Sequence, residues 1–232
     1  MFDKRKIKVV AFDADDTLWD NQTHYDVIED TLCDILSPYA DEKDIRSAFF
    51  DIECRNMENL GFGAKAFTIS LIEAALSISE NRVSAEDVAR LVSLGKNLLG
   101  MTMQPFDDVE PTLKRIALGG MYELVLLTKG ELLPQENKVK RSGLGRYFGQ
   151  LKVVSDKIPE VYAGLYKEYD IAPDEFLMVG NSMKSDIIPV LETGGWGAYI
   201  PFHRTWKMEH ADKTEHSRLI RLSAFGDLLT VL

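Results

Sequence analysis

Short, almost continuously apolar runs alternate with longer amphipathic segments along most of the chain. The runs are rich in valine, leucine and phenylalanine and end abruptly, as strands do when both faces of a parallel sheet are covered. Alternation of such runs with helical patterns predicts a doubly wound α/β domain built on a parallel sheet. The predicted strands are Lys8–Phe12, Tyr122–Leu127, Leu151–Val154, Phe176–Val179 and Trp196–Ile200.

The segments between the last four strands have the ends expected of helices. Pro159 suits a first helical turn, where its missing N–H is not needed. Gly143 follows the last periodic residue of another segment, and glycine commonly ends a helix there. The predicted helices are Leu132–Ser142, Glu160–Tyr169 and Met183–Glu192.

One long interval, between the first and second strands, has no strand pattern. Apolar residues recur in it at i, i+3 and i+4 spacing, which predicts amphipathic helices. Ser84 and Asp87 resemble a capping box at the start of the last of them. We therefore expect an all-helical insert at residues 21–102, flanked by core segments 1–20 and 103–232. Its predicted helices are Tyr25–Leu36, Glu42–Leu60, Phe67–Leu76 and Ala85–Leu99.

Polar residues follow each of the first four predicted strands. The carboxyl ends of parallel strands meet at one edge of a sheet, and open α/β sheets bind their ligands outside that edge. Acidic, hydroxyl and cationic side chains should therefore converge there. They belong to the segments Asp13–Leu18, Thr128–Gly130, Ser155–Lys157 and Gly180–Asp186.

Clustered carboxylates at one edge of a sheet need a counter-charge. Aspartates without suitable thiols and with few histidines favour a hard cation such as Mg²⁺ over zinc. A lysine and a threonine hydroxyl beside that cation would hold a phosphoryl group. An aspartate that faces phosphorus in such a site is able to act as a nucleophile and form an aspartyl-phosphate. The strand ends thus predict magnesium and phosphoryl transfer.

The same residues resemble the four motifs of the haloacid dehalogenase-like hydrolase superfamily. The resemblance covers the whole chain, because the helical insert has the position of a cap placed between the first two motifs. It implies a Rossmann-like catalytic core with a helical cap, in a phosphatase-like branch of the superfamily. The matching residues, in the expected order, are Asp13-x-Asp15-x-Thr17, Thr128, Lys157 and Gly180-Asn181-x4-Asp186.

The resemblance also implies a role for each matching residue. Asp13 would be the nucleophile and a magnesium ligand. Asp15 would protonate the leaving alcohol, then activate water, and would bind the metal through its main-chain carbonyl. Thr128 and Lys157 would bind the phosphoryl group, the lysine neutralising both phosphate and nucleophile. Asp186 would complete the metal site.

Three further residues are candidates with open alternatives. Asn181 replaces an aspartate common in relatives; its amide oxygen could bind the metal or a water on it, or its side chain could cap the next helix. Lys129 either adds positive potential near the phosphate or points to solvent. Lys65, beside Gly61 and Gly63 in the insert, is the candidate for substrate discrimination, with a surface lysine on a flexible turn as the alternative.

The presence of an acid at position 15 distinguishes between the possible reactions. Like charge from Asp13 would raise the pKa of Asp15, which suits a general acid. A phosphate ester needs that proton, whereas displacement of halide at carbon does not, and dehalogenases of the family lack an acid at this position. We therefore expect a Mg²⁺-dependent phosphomonoesterase for a small phosphorylated metabolite. A phosphomutase, a 2-haloacid dehalogenase-like enzyme and a non-enzymatic ligand-binding relative are the alternatives.

Composition limits the possible partners. The 232 residues include 27 lysines and arginines against 37 acidic residues, a net charge of −10, which argues against binding to nucleic acid or to a membrane surface. The two cysteines have neither zinc nor disulfide-framework spacing, and no signal peptide or membrane span is evident. We expect a cytoplasmic protein, and the sequence leaves the oligomeric state open.

Overall fold

The chain divides into two compact units in the computed structural model, which describes residues 2–204, 206–209 and 215–232. One unit, the core unit, consists of Met1–Gln22 and Met103–Leu232. The other, the insert, consists of Thr23–Thr102. Within the described residues, no helix is both long and apolar enough to cross a membrane.

The described part of the core unit is built on a six-stranded parallel sheet with the order β3-β2-β1-β4-β5-β6. β1 and β4 are buried along their whole length, as expected of central strands covered on both faces. The strand order changes direction between β1 and β4, which makes their carboxyl ends the topological switch point. The strands are β1 Val9–Phe12, β2 Glu123–Lys129, β3 Gln150–Val154, β4 Phe176–Gly180, β5 Trp196–Tyr199 and β6 Leu219–Arg221. This sheet confirms the predicted doubly wound α/β fold.

Four α-helices form the insert and bury an apolar core of their own. Ser84 begins the last helix as predicted, because its hydroxyl oxygen accepts a hydrogen bond from the main-chain N–H of Asp87 at 3.0 Å. Large apolar residues such as Leu36, Phe49 and Leu71 are buried in this core. The helices are α1 Gln22–Leu36, α2 Glu42–Leu60, α3 Ala64–Ile78 and α4 Ala85–Gly100.

The helices of the core unit cover the sheet and differ from the predicted set in three places, one of which is the short C-terminal helix Leu228–Val231. A helix at Val109–Gly119 was not predicted, and the segment predicted as one helix from Met183 is a π-helical turn, Met183–Ile187, followed by a short α-helix. The α-helices are α5 Val109–Gly119, α6 Leu132–Ser142, α7 Pro159–Glu168, α8 Ile188–Glu192 and α9 Leu228–Val231.

Gly95 allows α3 and α4 to approach each other closely. A Cβ atom at this position would lie 1.9 Å from Thr68 Oγ1 and 2.7 Å from Thr68 Cβ. We therefore expect Gly95→Ala to destabilise the protein by up to about 2 kcal/mol, because overpacking of roughly 1–3 kcal/mol is offset by a gain in helix propensity of about 1 kcal/mol. Urea unfolding followed by circular dichroism measures the change.

Gly100→Ala is the matched control for this prediction, because nothing lies within 4 Å of a Cβ atom at the end of α4. We expect its urea midpoint to equal or exceed that of the unaltered protein. A midpoint for Gly95→Ala as high as that of Gly100→Ala would show that α3 and α4 are not held at this distance.

Candidate active site

The loop after β1 places Asp13 within a buried polar cluster. Its main-chain N–H donates to the carbonyl of Val179 in β4 at 2.8 Å, which fixes the residue at the switch point. The Thr17 hydroxyl donates to Asp13 Oδ2 at 3.0 Å, and Lys157 Nζ donates to Asp13 Oδ1. Asp13 is only 8% exposed. Burial and the negative charge of Asp186 raise the pKa of Asp13 to about 7, although Lys157 opposes that shift.

Lys157 lies between two buried carboxylates. Its Nζ contacts Asp13 and lies 2.7 Å from Asp186 Oδ1. The residue occupies the connection between β3 and α7, where Pro159 begins the helix. Burial disfavours its ammonium, but the two carboxylates raise the pKa of Lys157 above its ordinary value. The structure therefore brings two predicted carboxylates, those of Asp13 and Asp186, to the fixed positive charge of Lys157.

Asp186 is presented by the π-helical turn after β4. The main-chain N–H of Ser182 donates to Asp186 Oδ2 at 2.9 Å, and the buried Tyr162 hydroxyl donates to the main-chain oxygen of Asp186 at 3.2 Å. A Cβ atom at Gly180 would lie 2.2 Å from Asp186 Oδ2. Glycine at the end of β4 is thus what allows this carboxylate to lie against the strand.

Oxygen atoms suited to Mg²⁺ surround the side chain of Asn181. The tip of its amide group lies 3.3 Å from Asp13 Oδ2, 3.3 Å from the main-chain oxygen of Asp15 and 3.1 Å from Thr17 Oγ1, and the nitrogen is able to donate to these acceptors when the amide is turned toward them. A carboxylate, a main-chain carbonyl and an amide oxygen brought there by rotating the side chain are hard ligands. This donor set fits the predicted cation.

Both carboxylate oxygens of Asp186 already accept hydrogen bonds from other residues of the protein. Its Oδ1 accepts from Lys157 and its Oδ2 from the Ser182 N–H. In the part of the chain that the structure describes, no group of three or more His, Cys, Asp or Glu side chains is arranged to hold a metal. The oxygen atoms around Asn181 do not form such a group, because one of these ligands belongs to the main chain and one to an amide.

Asp15 is held by three donor residues, and its pKa is shifted in the direction opposite to the prediction. Trp19 Nε1 donates to Oδ1 at 2.8 Å, Gln135 Nε2 donates to Oδ2 at 3.1 Å, and Lys138 Nζ lies 2.9 and 2.8 Å from the two oxygens. Burial opposes ionisation, but the Lys138 ammonium and these hydrogen bonds lower the pKa of Asp15. The expectation that Asp13 would raise it was wrong, because the sequence pattern did not reveal this lysine.

Thr128 and Lys129 lie inside β2 rather than after it. The buried Thr128 hydroxyl is 3.4 Å from the main-chain oxygen of Lys129. Lys129 Nζ contacts the Glu209 carboxylate and donates to Ser185 Oγ at 2.8 Å. Burial opposes ionisation of Glu209, but Lys129 lowers its pKa. The ammonium predicted to face phosphate is therefore paired with a carboxylate of the chain itself, and its role toward phosphate stays a prediction.

Lys65 is an exposed residue in the first turn of α3, within the insert. Gly61 and Gly63 precede it with φ angles of 68° and 130°, backbone conformations that favour glycine. The turn between α2 and α3 therefore requires these glycines for its own geometry, and a role of Lys65 in substrate discrimination stays a prediction.

Gln135 and Lys138 are the site residues that sequence reasoning missed. They are three residues apart in α6, so they lie on one face of the helix. A signal was present: α6 follows β2 and therefore begins at the sheet edge where the motifs converge. Polar residues in its first turns were candidates for contact with the aspartates.

Comparison with known proteins gives a consistent set of relatives. A family model described as haloacid dehalogenase-like hydrolase matches residues 7–190. Glyceraldehyde 3-phosphate phosphatase of Pyrococcus furiosus is 24% identical over 219 residues, covering 90% of this chain and 88% of that protein. The crystal structure of a haloacid dehalogenase-like family hydrolase from Xanthomonas campestris is similar with a TM-score of 0.86 at 34% identity, covering 97% of this chain and 92% of that one. A 2-haloacid dehalogenase from Pseudomonas syringae gives a TM-score of 0.62 at 21% identity, covering 97% of both chains.

Proposed function

Because the chain belongs to the haloacid dehalogenase-like hydrolase family, we propose that it is a Mg²⁺-dependent phosphomonoesterase that forms an aspartyl-phosphate on Asp13. One observation carries the proposal. The loop after β1 provides two carboxylates, and the first of them, Asp13, is in contact with the buried ammonium of Lys157. A nucleophile, a fixed positive charge and a proton-transferring group are the parts that such a reaction needs.

In the first half-reaction, a carboxylate oxygen of Asp13 forms a bond to phosphorus while the bond from phosphorus to the leaving oxygen breaks. Asp15 acts here in its protonated form, which Lys138 disfavours in the free protein; it gives its proton to the leaving oxygen, which departs as an alcohol. Lys157 stabilises the negative charge of the transferring phosphoryl group as a point charge. Thr128 at the end of β2 is the proposed hydrogen-bond donor to a phosphoryl oxygen.

In the second half-reaction, Asp15 acts as a base. Its carboxylate takes a proton from water as the water oxygen bonds to phosphorus, and the bond from phosphorus to Asp13 breaks. The contact with Lys138 favours this ionised form of Asp15. Mg²⁺, held by Asp13, the main-chain oxygen of Asp15, Asn181 and Asp186, would neutralise phosphoryl charge and orient the phosphoryl oxygens.

The relatives and Asp15 support the proposed class of substrate. The Pyrococcus furiosus relative is a phosphatase of a small sugar phosphate by name, which supports a small phosphorylated metabolite here. The dehalogenase relative, at 21% identity, shares the fold. Asp15 favours ester hydrolysis, because an alkoxide leaving group needs a proton and a halide does not.

A phosphate-release assay over a panel of small phosphate monoesters tests the proposal. We expect turnover of one or more esters with Mg²⁺, and loss of that turnover in a chelator such as EDTA. Release of halide from 2-haloacids in place of phosphate, or phosphate release that is equal with and without the chelator, would contradict it.

A further inference from the structure

The Lys138 ammonium makes its hydrogen bonds to the loop after β1. Its side chain is 11% exposed. Besides its two contacts with Asp15, Nζ donates to Asn21 Oδ1 at 2.8 Å. A lysine has three N–H donors, and here each has an acceptor within that loop. Its position is thus fixed by the same segment that carries the two catalytic aspartates.

Gln135 connects Asp15 to the end of β2. Its Nε2 donates both to Asp15 Oδ2 at 3.1 Å and to the main-chain oxygen of Lys129 at 2.7 Å. Since Gln135 and Lys138 belong to one face of α6, the helix and the strand before it together fix the carboxylate. Any rotation of the Asp15 side chain would break several hydrogen bonds, including the bond from Trp19 Nε1.

We propose that Lys138 is the positioning residue for Asp15, holding the carboxyl group in place for proton transfer to the leaving oxygen and from water. The inference rests on the proposed function, because only a proton-transfer role gives the position of Asp15 a catalytic consequence. Proton transfer requires donor and acceptor within hydrogen-bond distance, so a carboxyl group released from its contacts transfers protons less efficiently even though its chemistry is unchanged.

A comparison of leaving groups in Lys138→Met tests this role. The ratio kcat/KM includes the departure of the alcohol, which needs a proton for ethyl phosphate, less so for phenyl phosphate and hardly at all for p-nitrophenyl phosphate. We expect kcat/KM to fall at least about 10-fold for ethyl phosphate, within the roughly 10²–10⁴-fold range of general acid catalysis. We expect little change for p-nitrophenyl phosphate, and retention of activity by Lys138→Arg.

Lys140→Met is the control, since it removes an exposed lysine from the same helix. A second readout needs no turnover: the indole N–H resonance of Trp19, assigned with Trp19→Phe, reports the contact with Asp15. We expect this resonance to shift in Lys138→Met and to stay in place in Lys140→Met.

Three outcomes would overturn the inference. Equal falls in kcat/KM for all three esters would show that Lys138 acts only on the fold. An indole resonance that does not move in Lys138→Met would show that Lys138 does not act on Asp15. If the unaltered enzyme hydrolyses no ester with Mg²⁺, the proposed function fails, and the catalytic role of Lys138 fails with it, whatever the resonance shows.

Discussion

Replacement of Asp13 by asparagine will abolish turnover, with a loss of at least about 10⁴-fold in kcat, because an amide cannot form the aspartyl-phosphate. Lys157 keeps Asp186 as a partner in this variant, so we expect the fold to persist. Phosphate release measures the loss. Mass spectrometry of acid-quenched enzyme should find a phosphoryl group on the peptide that contains Asp13, and find none in the variant.

Asp174→Asn makes the same chemical change at the opposite edge of the sheet, before β4, where the residue is partly exposed and 3.9 Å from Lys6. It should keep full activity. Substantial turnover in Asp13→Asn, or a phosphoryl group found on another residue, would refute the assignment of the nucleophile.

Lys157→Met should lower both activity and stability. It removes the ammonium that lies between the buried carboxylates of Asp13 and Asp186. Breaking a buried ion pair by deleting one partner costs about 3–5 kcal/mol, and loss of a positioned electrostatic group costs about 10²–10³-fold in kcat. Urea unfolding in a chelating buffer and steady-state assays with Mg²⁺ measure the two effects.

Lys152→Met is the matched control, because Lys152 in β3 makes an ion pair with the more exposed Glu168 and such pairs contribute about 0–1 kcal/mol. In the double variant Lys157→Met/Asp186→Asn, the loss of stability should be smaller than the sum of the single losses, since one uncompensated carboxylate is gone. Strictly additive losses, or a Lys157→Met variant as stable as Lys152→Met, would disprove the buried charge pairing.

The central strands were predictable because burial on both faces leaves an apolar run in the sequence. β6 lacked that signal: it has three residues and ends in the exposed Arg221. α5 did carry apolar residues at helical spacing, among them Val109, Leu113 and Ile116. Its 11 residues equal the length of α6, and Pro111 in its first turn is compatible with a helix start, so the sequence did hold a signal for α5 that the prediction passed over.

The motif residues were predictable to the extent that they follow the strands. Contact of Asp13, Lys157 and Asp186 follows from the meeting of β1, β3 and β4 at one edge. The contact of Lys138 with Asp15 could not be predicted in this way, because it depends on which face of α6 turns toward the loop after β1. For the same reason the pairing of Lys129 with Glu209 had no counterpart in the sequence pattern.

The π-helical turn Met183–Ile187 makes the length of this segment as important as its composition. A wide turn of this kind amounts to one residue more than a regular helix would use. Deleting one uncharged residue there, such as Met183, would produce a more regular helix, yet the residues of the turn itself, Asp186 among them, would shift by one position, or about 100° around the helix axis. Such a deletion is therefore expected to move Asp186 away from Lys157 even though every charged residue is still present in the chain.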